Sequence, residues 1–131
     1  MAKILISEQK YFNFYSCFYL QTELKNHYPK IAHIAKKSID RIVEIEKYVT
    51  KDIKFINEII IPENIIVESE KLVEDIDFDD ILFVALTKHI KGKLWTGDNK
   101  LIESLKLKGF TQIITTQEIL KLIDKHDIEN E

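Results

Sequence analysis

The feature that most constrains the fold is the run Ile81-Leu82-Phe83-Val84-Ala85-Leu86, entered through the acidic stretch Asp75-Ile76-Asp77-Phe78-Asp79-Asp80. A helix that is apolar on nearly every side belongs in an interior, with other elements packed around it. Behind it, Lys93-Leu94-Trp95-Thr96 reads as a strand and Gly97 as the turn. Asp98 then starts a helix with Leu101, Ile102 and Leu105 inward, and Gly109 ends it. Gln112-Ile113-Ile114 is a last short strand. Thr116 is expected to cap a final amphipathic helix with Ile119, Leu120 and Ile123 inward, and the acidic tail Asp127–Glu131 is expected to fray. Strands alternating with helices predict parallel pairing, right-handed crossovers and a three-layer α/β domain.

The front of the chain continues this alternation. Residues 2–10 read as a short helix and the aromatic-rich Tyr11–Ser16 as a strand. Tyr19–His27 reads as a helix with Leu20 and Leu24 on one face. Pro29 suits the first turn of another, carrying Ile31, Ile34 and Ala35 inward. Ser38 can cap a third, with Ile39, Ile42, Val43 and Ile45 as its buried stripe. Ile59-Ile60-Ile61 is a strand candidate, and Pro62-Glu63 opens a helix through about Glu74. The expected sheet is short and mostly parallel, with strands near 12–15, 59–61, 93–96 and 112–114. With 131 residues and neither repeats nor linkers, the chain reads as one domain, 1–131.

Composition excludes several classes. A formal net charge of −3 gives no global basic field to attract nucleic acid, although a local Lys patch or bound cations can do that work. Cys17 is the only cysteine, so an internal disulfide and a multi-cysteine zinc site are excluded. No apolar run approaches the ~20 residues of a membrane span, and Ile4-Leu5-Ile6 is too short for the core of a secretory signal. These features point to a cytoplasmic protein. There is no Gly-rich phosphate loop, and His27, His33, His89 and His126 lack tight ligand spacing.

Ligands of parallel sheets bind at the carboxyl ends of the strands. Three acids are expected there: Glu23 after the first predicted strand, Asp80 at the start of the apolar helix, and Asp98 directly after Lys93–Thr96. Gathered carboxylates repel one another unless a cation neutralises them, and oxygen-only ligands favour magnesium or manganese. Each acid also has a plainer reading: Asp80 as a helix cap, Asp98 as a turn and cap residue, Glu23 as a solvated surface charge. Asp75, Asp77 and Asp79 read as a solvated loop from which one carboxylate could reach a metal.

The run Asp79-Asp80-Ile81-Leu82-Phe83-Val84-Ala85-Leu86-Thr87, followed by Leu94-Trp95-Thr96-Gly97-Asp98-Asn99-Lys100-Leu101, resembles the second half of PIN-domain proteins. Phe14-Tyr15-Ser16 through Leu20-Gln21-Thr22-Glu23-Leu24 resembles that family's second strand and following helix. Many members are metal-dependent ribonucleases, often the toxin of a bacterial toxin–antitoxin pair. The resemblance implies a PIN-like three-layer fold. It assigns Glu23, Asp80 and Asp98 to the metal-binding acids, Asp80 rather than Asp79 because it stands five residues before Ala85, and it matches Thr96 to a polar residue near that site; Asp77 and Asp79 are possible additional ligands from the acidic loop. It implies Mg2+ or Mn2+ as cofactor and single-stranded RNA as substrate.

The family opens with a strand ending in Asp-x-Asn whose Asp binds metal, whereas no Asp precedes residue 40 here. Ala2-Lys3-Ile4-Leu5-Ile6-Ser7 looks instead like the end of the helix that follows that strand. The expectation is a PIN-like domain without its first strand and with weak or no activity. Loss of a central strand would expose apolar side chains and unpaired backbone groups. A homodimer is the expected remedy. The competing reading is a non-catalytic PIN-like module that pairs with an antitoxin protein or with itself.

Overall fold

Two parallel strand pairs organise the chain, one in each of the units Met1–Glu58 and Ile59–Glu131 into which it divides. The computed structural model describes residues 2–7 and 12–129.

The first unit runs α1 (Ala2–Ser7), β1 (Tyr15–Cys17), α2 (Tyr19–Asn26), α3 (Tyr28–Ala35), α4 (Ile39–Thr50) and β2 (Lys54–Ile56). β1 and β2 pair in parallel, with Tyr15 opposite Lys54, Ser16 opposite Phe55 and Cys17 opposite Ile56. Parallel neighbours need a long crossover, and α2, α3 and α4 supply it. Pro29 stands in the first turn of α3, where its missing N–H costs nothing. Ser38 caps α4, its hydroxyl accepting from the Arg41 amide at 3.2 Å. Ile4, Cys17, Ala32 and Ile42 are buried.

The second unit contains α5 (Glu63–Val73), a 3₁₀ turn at Phe78–Asp80, α6 (Ile81–Ile90), β3 (Leu94–Trp95), α7 (Asn99–Leu107), β4 (Ile113–Ile114) and α8 (Thr116–Glu129). β3 and β4 are parallel, with Leu94 opposite Ile113 and Trp95 opposite Ile114. Val73, Val84, Leu101, Ile102, Leu105, Phe110 and Ile113 form the core, with Leu72, Ile76, Ile81 and Leu94 packed against it. The interior position expected for α6 holds, since Val84, Ala85, Leu86 and Thr87 are all buried. Thr87 is tolerated there because its hydroxyl donates to the Phe83 carbonyl. Gly109 closes α7 at φ 85°, a left-handed conformation in which a Cβ would be strained. The result is a helix-rich α/β fold with short parallel sheets.

Several expectations need correction. Ile59-Ile60-Ile61 is not a strand: a 3₁₀ turn covers Glu58–Ile60, and the strand lies earlier at Lys54–Ile56. Backbone pairing decides this, because Lys54 donates to the Phe14 carbonyl and aligns with β1. The aromatic strand is also shorter and later than Tyr11–Ser16, beginning at Tyr15. Tyr11 and residues 8–10 of the expected first helix lie outside the described residues. On α3 it is Ala32 that is buried, while Ile34 is 70% exposed. On α8 Ile119 and Ile123 are buried but Leu120 is exposed. The cap of α8 is Thr115 rather than Thr116: its hydroxyl accepts from the Glu118 amide, and Glu118 accepts from the Thr115 amide. α8 extends through Glu129, and Asn130 and Glu131 lie outside the described residues.

Candidate functional site

Asp98 sits just past the carboxyl end of β3, where the chain turns into α7. Its Oδ1 accepts from the amides of Lys100 at 3.1 Å and Leu101 at 3.2 Å. The Thr96 hydroxyl in turn accepts from the Asp98 amide at 3.1 Å. Thr-Gly-Asp thus forms a turn that fixes the carboxylate over the amino end of α7, where the helix dipole favours negative charge. Trp95 Nε1, from β3, donates at 3.0 Å to the hydroxyl of Thr116, just past the carboxyl end of β4. Glu118 is anchored to Thr115, and those hydrogen bonds hold its carboxyl below the usual range.

Asp80 occupies the position before α6, but its side chain makes no cap hydrogen bond. The capping hydrogen bond considered for Asp80 is therefore not made, whereas that of Asp98 is. Asp77 caps the 3₁₀ turn, its Oδ1 accepting from the Asp79 amide at 2.9 Å. Asp75 is paired with Lys108, whose ammonium also donates to the Leu72 carbonyl. That hydrogen bond lowers the Asp75 pKa. Asp75 and Asp77 are thus committed to local structure.

Glu23 is half-buried on the second turn of α2, in the first unit. Asp80 and Asp98 belong to the second unit. Among the described residues no three His, Cys, Asp or Glu side chains gather as ligands for one metal ion. The donor chemistry of the acids and Thr96 suits a hard divalent cation.

One acid escaped the sequence reading. Glu58 stands just beyond the carboxyl end of β2, and its Oε2 accepts from the Tyr19 amide at 3.3 Å, at the start of α2. The Cys17 thiol at the end of β1 is pushed up in pKa, chiefly by burial and then by the Glu58 charge. The available signal was an acid directly after a strand, and it was hidden because the strand was placed at 59–61.

A helix-rich α/β fold with acids placed after short parallel strands is the class defined so far. The PIN-domain family model matches residues 1–126, and the chain belongs to that family, with the nuclease-like fold that membership implies. No curated protein and no solved structure matches the chain. No helix among the described residues is long and apolar enough to cross a membrane.

Proposed function

We propose that the protein is a metal-dependent endoribonuclease of the PIN family, with weak or no activity in this form, and that single-stranded RNA is its substrate. The observation that carries the reading is the match of the family model across both units, together with Thr96-Gly97-Asp98 held as a rigid turn past β3. Glu23, Asp80 and Asp98 are the proposed metal-binding acids, and Thr96 positions Asp98. Only residues 91–93 separate α6 from β3. So short a connection supports a chain reversal between them, the reading in which Asp80 shares the edge of Asp98. A divalent ion held by these acids supplies charge neutralisation at the phosphodiester and a water of lowered pKa.

The second reading is a non-catalytic module that binds an antitoxin protein or a second copy. Cleavage of labelled single-stranded RNA with Mg2+ or Mn2+, run beside Asp98→Asn and Asp80→Asn, separates the two. Slow metal-dependent cleavage that both substitutions abolish supports the nuclease. Equal rates in wild type and variants would overturn the site. Light scattering at micromolar concentration tests the expected homodimer, and a monodisperse monomer would remove it.

A further inference from the structure

Residues Phe18, Gln21, Thr22 and Lys25 line an open groove of about 470 Å³ in the first unit. Their spacing of three, four and seven places them along one face of α2 and its entry turn. Phe18 follows β1 directly and is 43% exposed, so a flat apolar ring faces solvent at the carboxyl edge of a parallel pair. Parallel sheets bind ligands at that edge. Gln21 and Thr22 bring an amide and a hydroxyl that can each donate and accept. Lys25 closes the row with a cation.

Charge indicates the occupant. The overall −3 hides a division: Met1–Glu58 carries ten Lys and Arg against seven Asp and Glu, a balance of +3. Ile59–Glu131 carries nine against fifteen, a balance of −6. The basic unit also sets cations against aromatic rings elsewhere. Lys54 lies 5.5 Å from the Tyr15 ring centre and Lys51 lies 4.4 Å from that of Tyr48. Exposed rings interleaved with Lys are how proteins hold single strands, with bases stacking on the rings and cations meeting phosphates.

We propose that the groove along α2 holds one or two nucleotides of single-stranded RNA, with a base stacked on Phe18 and a phosphate at Lys25. The choice of RNA rests on the ribonuclease reading, but the groove does not use the proposed metal acids. Glu23, five residues after Phe18, falls on another flank of the helix.

The test is fluorescence anisotropy of a labelled oligouridylate with the full chain in EDTA, where metal-dependent cleavage cannot occur. Phe18→Ala should weaken binding roughly 5- to 150-fold, as loss of one stacking platform does, while Phe18→Tyr should restore it. Lys25→Ala should lower the slope of log affinity against log salt by about 0.7, a readout available if Phe18→Ala does not fold. Absence of binding by the wild type, or wild-type affinity and salt slope in Lys25→Ala, would overturn the proposal. So would a dimer that Phe18→Ala dissociates with RNA affinity unchanged, which would make the groove an interface between copies. Binding lost in Phe18→Ala without any Mg2+-dependent cleavage would keep the groove and remove the nuclease. Cleavage abolished by Asp98→Asn but with KM unchanged in Phe18→Ala would do the reverse.

Discussion

Replacing Asp98 with Ala removes the acceptor of two amide hydrogen bonds at the start of α7. The expected cost is about 0.5–2 kcal/mol in urea unfolding. Asn keeps an oxygen in the same place and should cost no more than about a few tenths of a kcal/mol. Asp98→Asn therefore isolates the charge from the cap, which is why it serves as the activity control. Equal destabilisation by both substitutions would show that the two amide contacts contribute nothing. At Glu46 the coupling is to pH. The Tyr28 hydroxyl donates to Glu46, and burial pushes the carboxyl up against the opposing pull of Lys25 and Lys47. A raised folded pKa means the native state binds the proton more tightly. The contribution is complete below the unfolded value near 4.5 and is lost as pH rises through the folded one. Asp75 and Glu118 have lowered values, so their contributions are present above the unfolded pKa and fade as pH falls through the folded one. Glu46→Gln should flatten the loss of stability on raising pH from that region, measured by thermal melts. An unchanged profile would show that burial does not bias this carboxyl.

At the scale of elements, helices were legible and strands only partly so. α6 and α7 carry their burial in the sequence period, and Leu101, Ile102 and Leu105 are all buried as that period requires. Leu105, fully buried, should cost about 2–5 kcal/mol when cut to Ala. Leu107, 88% exposed on the same helix, should stay within about 0.5 kcal/mol. Similar losses at both positions in denaturant unfolding would contradict the packing described. Strands of two or three residues have no period to read. Three isoleucines before Pro62 looked more like a strand than Lys54-Phe55-Ile56, yet partner alignment with β1 selected the latter. Ile61 turns inward and is buried, while Ile59 is 83% exposed. The site follows the same division. Asp98 was legible because a strand, a glycine turn and a helix start leave it one place to be. Glu58 was not, because its position depends on which strand precedes it. The cap at Thr115 lay one residue from the reading, since Thr115 and Thr116 both fit by type and only the Glu118 contacts distinguish them.

For the whole molecule, the division of charge sets how cations should act. The unit Ile59–Glu131 holds fifteen acids against nine bases, so any salt will screen repulsion within it to some degree. A specific site does more, because a ligand that binds only the folded state stabilises it by mass action. At a tenfold excess over its Kd the gain is about 1.4 kcal/mol, a rise of about 3–6 °C for a chain of this size. Melting in Mg2+ or Mn2+ is therefore to be compared with NaCl at the same ionic strength. If Asp80 and Asp98 hold the ion, wild type should rise with the divalent salt beyond the NaCl control. Asp98→Asn, whose cap is preserved, should lose that excess, and so should Asp80→Asn. Glu23→Gln lies in the other unit and asks a separate question. Loss of the excess there as well would assign Glu23 to ion binding, whereas full retention would leave Asp80 and Asp98 as the acids that bind it. An identical divalent shift in wild type and all three variants would leave only general screening, and the assignment of these acids to a metal would fall.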